Sequence, residues 1–199
     1  MPATIRFSSS LGPYLVPTIL RATCLTFCVG LTCLCPAVLE GQQRPLPATG
    51  WRQYTSKEGR FRVEMPAAPT TDRATMRTPY GELPLHTANV AGHTTGYVVF
   101  YSDYPERVVR RFTAEQILRG ARDAAVRRLG GRLLKESSTR VSGQPARRLE
   151  IEISGGGAIA RTTLILAGRR LYQVTVAAPP EQVRSAEAER FINSFRILP

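Results

Sequence analysis

The chain has 199 residues, 43% of them hydrophobic, and carries 27 Lys plus Arg against 15 Asp plus Glu, a formal net charge of +12. Lys57 and Lys135 are its two lysines, so the basic surplus is almost wholly arginine. No recognised nucleic-acid-binding motif accompanies that charge, and no internal repeat or second domain is visible.

All four cysteines fall in "CLTFCVGLTCLCPA", Cys24 to Ala37. The spacing C-x3-C-x4-C-x-C lacks the paired C-x2-C knuckles and supporting histidines of a tetrahedral zinc site. Ala22 to Cys35 carries no charge and follows Arg6 and Arg21 with no acid between, which is a signal-peptide pattern. Cleavage is expected after Ala37, with Gly41 as the rival position. The expected organisation is a signal peptide over 1–37, a linker over 38–50 ending in "GQQRPLPATG", and a single domain over 51–199. An uncleaved membrane anchor is the alternative, although a span of about 20 apolar residues has to include Pro13, Pro17 and Arg21. Lipidation fits poorly, because Phe27 precedes Cys28 where a small residue is wanted. The expected location is therefore periplasmic or extracellular, or membrane-anchored if the segment stays. Once the segment is removed no cysteine remains, and thiol chemistry is excluded from the domain. A domain of that size buries about 70% of its unfolded surface and needs no disulfide staple.

An exported basic surface points to an anionic neighbour: phospholipid headgroups, a phosphate- or carboxylate-bearing envelope polymer, or an acidic protein. A genome rich in arginine codons, with the arginines paired on solvated faces, accounts for the same composition.

From Trp51 onward the pattern is strand-rich. "FRVEM" sets Phe61, Val63 and Met65 against Arg62 and Glu64, and "RLEIEIS" sets Leu149, Ile151 and Ile153 against polar residues. Both read as half-buried strands. Further strands are expected at Asp72 to Thr78, Glu82 to Gly92, Tyr97 to Ser102, Arg132 to Thr139, Ala160 to Ala167 and Leu171 to Ala177. Ser142-Gly143 and Gly168 sit between apolar runs as hairpin turns. Gly155-Gly156-Gly157 precedes a strand rather than a helix, so it reads as a flexible turn and not a phosphate cradle.

One helix is expected from Ala114 to Leu129, opened by Thr113 with Gln116 as a capping box and closed by Gly130-Gly131. Its apolar face gathers Ala114, Ile117, Leu118, Ala121, Ala124, Ala125 and Leu129, while Glu115 with Arg119 and Asp123 with Arg127 stand at i, i+4 on the solvated face. A second helix is expected after Pro179-Pro180, running to about Phe195, with Ala188, Phe191, Ile192 and Phe195 at core spacing. The expected class is α+β, a mostly antiparallel sheet with two main helices packed on it.

"WRQYTSKEGRFRVEMPAAP" near the start, "GRRLYQVTV" late and "FINSFRI" at the end resemble bacterial exported domains of the PsbP-like class, over about Gly50 to Pro199. The resemblance implies an α/β/α sandwich, shared with PsbP, an extrinsic protein of the photosynthetic oxygen-evolving complex, and with a nuclear Ran-binding protein. It also implies work by binding other proteins rather than by catalysis. No catalytic or ligand motif accompanies it, so no functional residue is carried across.

For chemistry the chain offers little. His86 and His93 are its two histidines; a metal site needs further ligands, and none is expected. Ser102, Asp103 and His86 are present without a G-x-S-x-G nucleophile elbow, so no catalytic residues and no cofactor are expected. "YVVFYSDYPERVVRRF", Tyr97 to Phe112, is the distinctive segment. Tyr101 and Tyr104 offer stacking faces, and Arg107, Arg110 and Arg111 offer forked donors for carboxylate or phosphate. The same residues also fit a turn at Asp103, a strand stop at Pro105 and tyrosines filling the sheet edge. The expected function is an exported, non-enzymatic binding or accessory domain that recognises an envelope protein or an anionic envelope polymer. Nucleic acid is not expected as a partner, and membrane association is expected if the N-terminal segment is uncleaved. The alternatives are a small extracytoplasmic enzyme and an adaptor acting through hydrophobic surface.

Overall fold

Alternation of apolar and polar residues builds two antiparallel sheets. The computed structural model describes residues 50–92, 94–155 and 157–199, all within one unit, Arg44–Pro199. The expected signal peptide, the linker before Gly50, His93 and Gly156 lie outside the described residues.

The first hairpin joins β1 (Arg52–Ser56) to β2 (Phe61–Met65), and a short C-terminal strand lies on the other side of β2 to complete a three-stranded sheet. The main sheet has seven strands. They are β3 (Thr70–Thr78), β4 (Gly81–Ala91), β5 (Gly96–Asp103), then β6 (Arg132–Val141), β7 (Gln144–Glu152), β8 (Ile159–Ala167) and β9 (Arg170–Ala178), in the spatial order β3-β4-β5-β9-β8-β7-β6 with every pair antiparallel. Among the described residues three helices accompany the sheets: α1 (Glu106–Arg111), α2 (Ala114–Arg128) and α3 (Ala186–Ser194), which leads into β10 (Arg196–Ile197).

Because successive strand residues point to opposite faces, the sheet carries two cores. On one face Tyr97, Val99 and Tyr101 of β5 and Tyr172, Val174 and Val176 of β9 meet Phe61, Val63 and Met65 of β2 and Ala188 and Phe191 of α3. On the other, Leu149 and Ile151 of β7 and Ala160, Leu164 and Leu166 of β8 meet Ile117, Leu118, Ala121 and Ala125 of α2. The layers are helix, sheet, then helix with a small sheet, which is the expected α+β sandwich. Each fully buried aromatic or branched side chain contributes about 1.5–3 kcal/mol, so both faces drive folding.

The caps follow the sequence. Gln116 N–H donates to Thr113 Oγ1 at 3.3 Å and Thr113 N–H to Gln116 Oε1 at 2.8 Å. After α2, Gly131 passes so close to β7 that a Cβ there would stand 2.2 Å from the Glu152 carbonyl oxygen. In the β6–β7 turn Ser142 and Gly143 both take positive φ, 50° and 76°, as a primed two-residue hairpin requires.

Several expectations are corrected. β1, α1 and β10 went unread, being short or carrying no periodic pattern. The final helix begins at Ala186 rather than at Pro180: the chain first makes a turn, with Gln182 and Val183 N–H donating to the Pro179 carbonyl, and Ser185 then caps the helix. Glu115 and Arg119 do pair at 3.9 Å, but Asp123 takes Arg122 at 2.8 Å instead of Arg127. Arg122 is drawn to that position by Glu136 of β6 at 2.9 Å, a partner from another element.

Candidate functional site

The segment from Tyr97 to Phe112 leaves the sheet at Asp103, makes the link Tyr104-Pro105 and coils into α1. Strand alternation directs Tyr101 to the face covered by β2 and α3. Tyr104, just past the strand, falls into the core under α1 and α2; its N–H donates to the Arg169 carbonyl at 2.9 Å. Both tyrosines are buried, at 7% and 8% exposure, so neither ring is the open stacking face expected from the sequence. The Tyr101 ring lies between His86, stacked at 4.5 Å, and the guanidinium of Arg170 at 5.1 Å. Tyr104 meets the edge of Tyr80 at 5.9 Å. Burial raises the hydroxyl pKa of both above the ordinary phenol value, which keeps them neutral.

The arginines of α1 divide. Arg110 closes on Glu106 one turn before it and is neutralised. Arg107 Nη2 donates to the Tyr80 carbonyl at 2.8 Å, and the Arg111 guanidinium lies 5.6 Å over the Phe112 ring. Neither has a carboxylate partner among the described residues. With Pro79, Tyr80 and Gly81 of the β3–β4 turn they line an open cleft of about 620 Å³, whose aromatic floor is the Tyr80–Phe112 pair at 5.7 Å. Of the five expected residues, Arg107 and Arg111 meet in this cleft. Arg110 is turned to Glu106, Tyr104 lies beneath the floor, and Tyr101 is on the other side of the sheet.

A second cleft of about 420 Å³ opens on that other side. It is lined by Arg60, Asp103, Arg169, Arg170 and Tyr172 with Ile197 and Leu198. Arg170 holds Asp103 through two hydrogen bonds of 2.7 Å, which keeps the Asp103 carboxyl below its usual pKa. Asp103 lines this second cleft, and Arg107, four residues on, lines the first.

Tyr80, Phe112, Arg60 and Arg169 escaped the sequence reading. A turn signal, "TPYGE", was available for Tyr80, but nothing local said that this turn would meet α1. No group of three His, Cys, Asp or Glu side chains that would hold a metal occurs among the described residues.

Neither protein-family models nor curated protein sequences match this chain. Among solved structures it is similar to the cyanobacterial PsbP, CyanoP, of Synechocystis sp. PCC 6803, with a TM-score of 0.50 and 13% identity, over 79% of this chain and 98% of that one. The fold is PsbP-like. At that identity the likeness carries the PsbP-like architecture and no site residue. A Pseudomonas aeruginosa protein of unknown function aligns over 67% of this chain and 85% of its own at 16% identity, with a TM-score of 0.33. Among the described residues of the PsbP-like unit, no helix is long and apolar enough to cross a membrane.

Proposed function

We propose that this protein is an exported, non-enzymatic binding domain that recognises an anionic group on an envelope protein or polymer through the cleft between the β3–β4 turn and α1. One observation carries the reading: Arg107 and Arg111 share an aromatic-floored cleft without a carboxylate, while Arg110 between them is neutralised by Glu106. The surroundings support it. At this end of the sheet Glu58, Glu82, Asp103 and Glu106 are each engaged, by Arg73, Arg77, Arg170 and Arg110, and no acidic side chain among the described residues lines the cleft beside the two arginines. Guanidinium forks suit carboxylate and phosphate oxygens. Leu134 is the exposed large apolar side chain among the described residues, which weighs against an adaptor working through a hydrophobic face.

The test is capture of envelope extract on the immobilised chain at low and high salt, with wild type beside Arg107→Ala/Arg111→Ala. Arginine-led recognition predicts partners that are released by high salt and lost from the double variant. Retention of the same partners by the double variant, or no retention at low salt, ends this reading.

A further inference from the structure

The second cleft is built around a conformational oddity. Arg60 has φ +51°, the left-handed region that favours glycine, although Gly59 stands immediately before it. Gly59 is needed where it is, since a Cβ there would lie 2.5 Å from the Phe61 ring and 2.8 Å from Ser56 Oγ. The next position thus takes the left-handed turn with an arginine, where glycine costs less. The Arg60 backbone is pinned on both sides: its N–H donates to the Lys57 carbonyl at 3.3 Å and its own carbonyl accepts from Leu198 N–H at 2.8 Å. Strain held in place by its surroundings and ending in a side chain at a cleft is a reason to look for a ligand.

The charges agree. Asp103 is the carboxylate in the cleft and is consumed by the two-pronged grip of Arg170. Arg60 is tethered through Nε to a main-chain oxygen of Pro199 at 3.3 Å, and its terminal nitrogens have no side-chain carboxylate partner among the described residues. Arg169, on the β8–β9 turn, has no ion-pair partner among the described residues. Two guanidinium groups thus line a cleft whose one acidic side chain among the described residues is held by Arg170, with Ile197 and Leu198 as an apolar wall.

We infer that the Arg60–Arg169 cleft is a second anion site, which takes the phosphate group of a phosphate ester with its organic part against Ile197 and Leu198. Phosphate fits better than carboxylate because two separate guanidinium groups line the cleft, and a phosphate monoester offers three terminal oxygens and up to two charges to share between them where a carboxylate offers two oxygens and one charge. The site is independent of the Arg107–Arg111 cleft, and each is tested by its own variants.

The experiment titrates the full chain calorimetrically at low salt with glycerol 1-phosphate and, in a second arm, measures co-sedimentation with phosphatidic acid–phosphatidylcholine vesicles, whose headgroup is the same phosphate monoester. The informative variant is Arg60→Gly, which removes the guanidinium and relieves the left-handed backbone. It is expected to raise the urea midpoint while weakening glycerol 1-phosphate by about tenfold or more, and Arg169→Gln is expected to weaken it similarly. A merely structural arginine would move stability without moving binding. Loss in both arms assigns a lipid headgroup, because comparing variants of the same chain cancels any vesicle affinity of its N-terminal segment; loss in the soluble arm alone assigns a free phosphate ester. Phosphate binding that is absent, or unchanged in both variants, overturns the proposal, and binding lost only in Arg107→Ala/Arg111→Ala assigns all anion recognition to the other cleft.

Discussion

The guanidinium of Arg170 grips the Asp103 carboxylate through two hydrogen bonds of 2.7 Å while lying 5.1 Å over the Tyr101 ring. It also donates to the Glu58 carbonyl at 2.7 Å. One side chain thus joins the end of β5, the start of β9 and the β1–β2 turn. Asp103→Asn is expected to cost about 1–2 kcal/mol, above the surface-pair median for its two-pronged geometry and discounted because solvent reaches the carboxylate. The pair also sets a pH dependence. The folded-state pKa of Asp103 is depressed, so its contribution is present above the unfolded value of about 4 and is lost as pH falls through the folded value. Urea unfolding between pH 7 and pH 3 should show a smaller acid loss in the Asn variant than in wild type.

Tyr172 Oη donates to the Gly59 carbonyl at 2.7 Å, from one sheet to the other within the core. Tyr172→Phe keeps the ring among Phe61, Tyr101 and Phe195 and leaves that carbonyl without its donor. A loss of about 1–2 kcal/mol is expected in chemical denaturation.

Two glycines near each other in sequence should respond with opposite sign. Gly131→Ala drives a methyl into the Glu152 carbonyl and is expected to cost about 3 kcal/mol. Gly120→Ala, inside α2 with nothing within 4 Å of the new carbon, is expected to gain about 0.5–1 kcal/mol. Thermal unfolding of the two variants beside wild type measures both.

Glu106 neutralises Arg110 on α1. On the proposed reading, Glu106→Gln frees a third guanidinium on the same helix and is expected to strengthen low-salt retention of an anionic partner by about threefold. The gain should vanish at high salt. Equal retention by wild type and variant at low salt would count against electrostatic recognition by α1.

Much of this architecture is written in local pattern. "FRVEM" and "RLEIEIS" alternate because one face of each strand is buried, and Thr113 with Gln116 marks a helix start because their side chains satisfy N–H groups that the helix leaves free. Antiparallel order followed from short turns at Ser142-Gly143 and Gly168, where the chain has no length for a crossover. These are interactions within a few residues, and the sequence by itself determines them. Which side of the sheet each tyrosine occupies, and which arginine stays free, depends on distant partners. Tyr101 meets His86 from β4, Arg107 meets Tyr80 across a separation of 27 residues, and Asp103 meets Arg170 across 67. Arg107 and Arg111 of the candidate site were legible in the sequence, but tertiary structure alone decided which arginines stay unpaired, because a charge is neutralised by whatever packing brings within about 4 Å of it, and sequence spacing is silent on that distance.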